Sequence, residues 1–201
     1  MNLLDHVHRE YVFPRRVLRL SEQLSQLIPA GCSVLDVGCG DGKLASSLLQ
    51  KRPDLRVQGV DVLARERTWI PITRFDGTKL PYDSDSFDAV MFVDVLHHAQ
   101  DPLVLLREAL RVSRRWIILK DHVLHGLAAG LRLRFMDYVG NAGYGVALPY
   151  NYWTAEKWRD VERQLGLKTC AEIRRLKLYP WPADYVFGAG LHFIALYEVP
   201  E

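Results

Sequence analysis

Cysteine is scarce in this chain: Cys32, Cys39 and Cys170 are the only three in 201 residues, and no C-x-x-C pair occurs. An odd, unpaired set excludes a disulfide-stapled scaffold and argues against structural zinc; it is the usage of reduced cytoplasmic thiols. A surplus of one charge is missing as well. The formal net charge is +2, from 26 basic and 24 acidic residues, so electrostatics alone names no partner. No run approaches the ~20 uninterrupted apolar residues of a membrane span. The start, with Asp5, Arg9 and Glu10, lacks the apolar stretch of a secretory signal. Repeats, low-complexity tracts and Pro/Gly/Ser linkers are absent. What remains is the composition of one cytoplasmic domain over 1–201, with 49% hydrophobic residues to fill a single core.

Nineteen of the basic residues are arginine, clustered at Arg15, Arg16 and Arg19, at Arg111, Arg114 and Arg115, and at Arg174, Arg175 and Lys177. No aromatic-interleaved nucleic-acid motif accompanies them, so they read as solvated faces and helix ends, and nucleic acid is disfavoured as a partner. The informative stretch is Val34-Leu35-Asp36-Val37-Gly38-Cys39-Gly40-Asp41-Gly42. Apolar residues around Asp36 predict a buried strand, the glycines a tight turn, and Lys43 to Gln50 a helix. A strand–glycine loop–helix unit lets a ligand touch bare backbone at a helix N-terminus. The dinucleotide fingerprint fails here, because its third glycine would fall on Lys43.

Further strands are predicted at 57–62, 70–75, 89–95, 116–120, 171–178 and 191–199. Helices are predicted before the first strand, over 101–112 behind the Asp101-Pro102 start, over 122–138, and from Thr154 to Gly166. The last strand is apolar on both faces and belongs inside the sheet. Strands alternating with helices indicate a parallel α/β sheet.

Strand, acid and G-x-G-x-G together resemble the first motif of the class I S-adenosylmethionine-dependent methyltransferases. The stretches Leu80 to Val90 and Val93-Asp94-Val95-Leu96-His97-His98 are similar to the same family. The resemblance implies a Rossmann-like, doubly wound sheet of about seven strands, mostly parallel with the last antiparallel. It adds an N-terminal helical cover (1–30) and a lid segment (121–152). It also implies S-adenosylmethionine as cofactor and S-adenosylhomocysteine as product. The cofactor would be held by Asp36, Gly38, Cys39 and Gly40, by Asp61 and Val62 at the end of strand two, by Asp76 and Gly77 after strand three, and by Val93. Asp61 would take the ribose hydroxyls, and Asp76-Gly77 the adenine edge. One departure stands out: Leu63 to Trp69 is too short for a crossover helix. Either that helix shrinks to a turn or strand three starts later, and Trp69 or Ile70 fills the gap.

Histidines gather at the expected C-terminal sheet edge: His97, His98, His122 and His125, with Asp94 and Asp121 beside them. A metal site is disfavoured by the adjacent His97-His98 pair. General base and plain polar lining both stay open, with His98 and His122 the candidates for the base. The Gly- and Tyr-rich segment 137–153 reads as a lid or acceptor pocket, with Asn141, Tyr144 and Tyr150 facing the substrate. An apolar helix from Val123 to Phe135 would form a greasy wall, which leans the acceptor toward a lipophilic small molecule. Two alternatives remain at this level: a SAM-binding partner subunit without catalysis, and an RNA methyltransferase. Asp94-Val95-Leu96-His97 stands where base-amino methyltransferases carry an Asn-Pro-Pro-Tyr-like tetrapeptide, which disfavours base N-methylation only. Oligomeric state is not legible.

Overall fold

The computed structural model describes His6 and residues 8–63, 65–141, 148–188 and 190–200. Its centre is strand β1 (Ser33–Val37), flanked in parallel by β2 (Arg56–Asp61) and β4 (Phe87–Val93). The short β3 (Ile72–Arg74) extends one side, and β5 (Ser113–Leu124) the other, both parallel. Beyond β5 the direction reverses. Strand β8 (His192–Glu198) runs antiparallel between β5 and β7 (Lys168–Ile173). The order is β3-β2-β1-β4-β5-β8-β7, with the two-residue β6 (Trp153–Thr154) pairing to the end of β5. The winding reverses between β1 and β4, so the ligand crevice of such a sheet lies at their C-terminal ends.

Alternation along the strands divides the core into two layers. Leu35, Val90, Phe92, Ile117 and Leu119 pack with Leu106 and Ala109 of α3 (Pro102–Val112) and Trp158 of α5 (Ala155–Gln164). Val34, Ala89, Met91 and Ile118 face the other way, onto Leu20 and Leu24 of α1 (Phe13–Leu27) and Leu48 of α2 (Lys43–Lys51). Among the described residues the other α-helices are α4 (Ala129–Asn141) and the short α6 (Ala183–Phe187), and single helical turns stand at His8–Val12 and Leu96–His98. The last strand lies inside the sheet: His192 to Tyr197 are all buried. Among the described residues no helix is long and apolar enough to cross a membrane.

Several boundaries differ from the sequence reading, among them β4 at Phe87–Val93 and not 89–95, the earlier starts of β5 and β7, and three that shape the molecule more. Strand β5 runs on through Asp121 and His122 to Leu124, because its antiparallel ladder with β8 reaches His122↔His192 and β6 pairs beyond it. The helix expected from His122 therefore starts only at Ala129. Strand β7 ends at Ile173 and not Leu178, where its ladder with β8 stops at Ile173↔Ile194 and the chain leaves the sheet; Leu176 and Leu178 bury themselves against the α1 layer instead. Finally, among the described residues no helix joins β2 to β3, and β3 begins at Ile72. The link is pinned by Trp69 N–H donating to Asp41 O at 2.8 Å. Ile70, buried, fills the space against Gly42 and Gly59, while Trp69 is 61% exposed.

Candidate active site

The glycine loop follows β1. Gly38 sits at φ +72°, and a Cβ there would lie 2.6 Å from Val95 Cγ2, so only glycine lets Val95 pack beneath the loop. Gly40, at φ +62°, would meet nothing within 4 Å and leaves open space on the far side. Its N–H donates to Asp61 Oδ2 at 2.8 Å, while Leu63 N–H donates to Asp61 Oδ1 at 2.8 Å. Asp61 thus ties the glycine loop to the loop after β2. Asp36 lies buried behind it, its pKa pushed up to about 7 by burial and by the charge of Asp61. Burial also pushes the Cys39 thiol up, so it stays protonated.

This loop forms one wall of a cavity of about 440 Å³. Gly38, Cys39, Gly40 and Asp41 line it on one side, and Val93 and Asp94 at the end of β4. Phe13, Arg16, Val17 and Leu20 come from α1, and Met136, Asp137 and Gly140 from α4. Asp36, Leu44, Arg65, Arg67, His97, His98 and His122 complete the lining.

The floor is a buried charge network. Asp94 receives Arg16 Nη2 at 2.6 Å and a short bond from Lys120 Nζ. Burial works against an ionised Asp94, but Lys120 and Arg16 outweigh it and hold the carboxyl well below its usual range. Lys120 is fully buried and also contacts His192 Nδ1 at 3.2 Å. His192 Nε2 lies 2.9 Å from the Phe187 carbonyl, to which it must donate, so Nδ1 is the acceptor and the ring is neutral.

A second cluster adjoins it. His97 Nδ1 donates to Asp121 Oδ1 at 2.6 Å, and its Nε2 lies 3.4 Å from Asp137 Oδ2. Asp137 also accepts a short bond from the Tyr152 hydroxyl. Burial would lower the His97 pKa, yet Asp121 and then Asp137 raise it to about 10, making it an imidazolium. That charge has consequences for its neighbours. Burial first, then His97, lowers His98 to about 4, and the same causes plus Lys120 lower His122. His98 is therefore neutral, faces the cavity, and has a buried Nδ1 with no hydrogen-bond partner among the described residues.

Two triads, Asp94–His122–His192 and His97–His122–Asp137, bring possible metal-ligand atoms within 4.8 Å of one another. Most of their ligand atoms already have partners: His192 uses both ring nitrogens, His97 Nδ1 is bonded to Asp121, and Asp137 accepts from the Tyr152 hydroxyl. The arrangement suits a hydrogen-bonded charge network better than a metal centre.

Of the residues singled out from the sequence, Asp36, Gly38, Cys39, Gly40, Val93, His98 and His122 line this one cavity. Asp61 stands behind the loop, 6% exposed. Val62, Asp76 and Gly77 lie outside the lining. Asp76 Oδ1 caps its own turn, accepting from Thr78 N at 2.7 Å and Lys79 N at 2.8 Å, and Gly77 abuts Val62. His125 is exposed beside Gly190, beyond the cavity. Tyr150, at φ +58°, places its ring 5.1 Å from the Arg134 guanidinium, also outside the lining. Asn141 ends α4, with its side chain outside what is described, and Tyr144 lies outside the described residues. Arg16, Lys120, Asp137, Tyr152 and His192 were not foreseen as site residues. A signal existed for Lys120, a cation next to Asp121 directly after the apolar run Trp116–Leu119 of β5; Arg16 offered none that separates it from a solvated helix face.

Comparison with known proteins agrees with this geometry. A family model described as a methyltransferase domain matches residues 5–172. The 27-O-demethylrifamycin SV methyltransferase of Amycolatopsis mediterranei is 32% identical over 64% of this chain and 53% of its own length. A ubiquinone biosynthesis O-methyltransferase of Xanthomonas axonopodis pv. citri is 33% identical over 45% of this chain and 42% of its own. The chain thus spans about half the length, or less, of these curated relatives. Among solved structures, a SAM-dependent methyltransferase from Aquifex aeolicus superimposes with a TM-score of 0.66 at 15% identity, covering 98% of both chains. The cyclase SpnF does so at 0.64 and 18%, over 91% of this chain and 80% of its own, so the fold by itself names no reaction. The domain match, the glycine loop and the sheet order agree: the chain belongs to the methyltransferase-domain family, in its class I, S-adenosylmethionine-dependent form.

Proposed function

We propose that this protein transfers the methyl group of S-adenosylmethionine to a small, lipophilic acceptor. The observation that carries the reading is a single cavity walled on one side by the glycine loop and floored on the other by the histidine–carboxylate network. The chain's own residues fit such a cofactor. The loop is packed from below by Val95 and open above Gly40, which leaves its backbone free to face a ligand. Asp36, whose carboxyl is raised to about 7, and the ionised Asp94, held between Arg16 and Lys120, line the same wall and would border the amino-acid part of the cofactor. Asp61 would accept from the ribose hydroxyls with its remaining lone pairs, Val62, Asp76 and Gly77 would border the adenine, and Val93 the methionine part.

When bound, S-adenosylmethionine supplies a methyl already activated on positive sulfur. The protein's task is then to align the acceptor, exclude water and receive a proton. His98 is assigned the acceptor's proton, since it is neutral and lines the cavity; His122 stands behind it, in contact with the His97 imidazolium. Asn141, Tyr144 and Tyr150 are kept as the acceptor-side residues of the lid. Support for a small acceptor comes from α1 and α4 walling the cavity, with Phe13, Val17, Leu20 and Met136 making much of that wall apolar. The relatives named for rifamycin and ubiquinone biosynthesis point the same way.

Calorimetry tests the reading. S-adenosylmethionine and S-adenosylhomocysteine are expected to bind and NAD not to, because Lys43 stands in place of the third dinucleotide glycine. Asp61→Asn, which keeps an acceptor for the loop, should weaken cofactor binding by about 2–3 kcal/mol with the fold retained. NAD binding without S-adenosylmethionine binding would overturn the proposal.

A further inference from the structure

Helix α4 is apolar on two opposite sides. At 100° per residue, Leu131, Phe135 and Tyr138 fall within about 60° of one another, and Met136, Asp137 and Gly140 fall on the far side. The far side lines the cavity. The near side is bare: Leu131 is 72% exposed, Tyr138 61% and Phe135 47%, and Leu127 just before the helix is 93% exposed. A helix on the surface of a water-surrounded protein presents mainly polar residues outward, whereas this one presents Leu131, Phe135 and Tyr138 between Arg132 and Arg134.

Helix α6 extends the same face. Phe187 stacks on Phe135 at 5.7 Å, and Arg132 Nη1 donates to Val186 O at 3.0 Å, so the two helices are packed side by side. Around α6, Trp181 is 88% exposed and Tyr185 79%. The surroundings are basic. Arg132 and Arg134 flank the stripe on α4, and exposed Arg175 and Lys177 precede Trp181 in the chain, while Arg174 is paired with Glu172 at 2.7 Å. Residues 122–136 contain no acid, and 174–188 contain only Asp184, whose carboxylate is occupied by Tyr179 N–H at 3.1 Å.

We propose that this face docks on the surface of an anionic lipid bilayer. Leucine, tryptophan and tyrosine on one face with arginine and lysine at its rim is the composition of an interfacial surface: aliphatic side chains enter the acyl boundary, Trp and Tyr sit at headgroup level, and the cations meet lipid phosphates. The charge argues against a second copy of the chain. An isologous contact would press the same cationic rim against itself. Docking would place the cavity, one helix thickness away, next to the bilayer, where a lipophilic acceptor resides. The docking itself does not depend on that acceptor or on the assigned cofactor.

The test is co-sedimentation of the full chain with vesicles of phosphatidylcholine alone and of phosphatidylcholine mixed with phosphatidylglycerol, at low and high salt. Binding to the mixed vesicles, weakened by salt and by removal of phosphatidylglycerol, is expected. Leu127→Glu with Leu131→Glu should reduce it at least about tenfold, while circular dichroism and S-adenosylhomocysteine affinity stay unchanged, since both side chains point away from core and cavity. No sedimentation with either vesicle, or sedimentation indifferent to the double substitution, would overturn the proposal. So would ultracentrifugation showing a wild-type dimer that the double variant dissociates, which would give the face to a second copy.

Discussion

The His97 imidazole is the residue on which the site's charge balance turns. Asp121 and Asp137 hold it protonated despite burial, and its positive charge in turn keeps His98 and His122 neutral. A folded-state pKa of about 10 against about 6.5 unfolded means the proton binds more tightly in the native protein. The resulting stability is fully present below about pH 6.5 and is lost as pH rises through about 10. Urea unfolding of wild type against His97→Asn should therefore show a gap that shrinks by on the order of 3 kcal/mol between those pH values. A gap independent of pH would mean that His97 is neutral when folded. Residue-scale features were legible from sequence where they are local. The glycine loop, Asp61 and the His97-His98 pair announce themselves within a few positions. The charge network does not: Asp94 finds Arg16 across 78 residues and Lys120 across 26, while Lys120 reaches His192 across 72. Nothing in spacing or periodicity records such a pairing.

At the scale of elements, ends with a capping mechanism were legible and ends set by a neighbour were not. Helix α3 starts where Asp101-Pro102 said it would, with Asp101 Oδ1 accepting from Leu103 N at 2.9 Å. Thr154 likewise caps α5 through Lys157 N at 3.2 Å. Strand β5 overran its expected end because β8 and β6 continue to pair with it, and β7 stopped early where its ladder with β8 ends. Tertiary pairing decides strand length, and local sequence does not encode it. The cap gives a direct test: Asp101→Ala should lower stability by about 1 kcal/mol in denaturant unfolding, with cofactor affinity unchanged. An unchanged midpoint would show that Pro102 alone fixes the helix start.

For the whole molecule, alternation of strand and helix and the doubly apolar last strand were enough to anticipate a parallel sheet with β8 inside it. That topology places the switch point between β1 and β4, and with it the cavity, the glycine loop and the histidines. Among the described residues no crossover helix stands between β2 and β3, and there Ile70 packs against the loop and Arg65 and Arg67 enter the lining. The central claim is that this edge is where the cofactor's methyl end meets the acceptor. A crystal structure of the complex with S-adenosylhomocysteine tests it most directly. The account predicts the ligand over Gly38–Gly40, its ribose hydroxyls on Asp61, its methionine part along Val93, and its sulfur facing His98 and His122. A ligand seated instead in the small cleft beside Trp158, Arg159 and Glu172, away from the glycine loop, would contradict it.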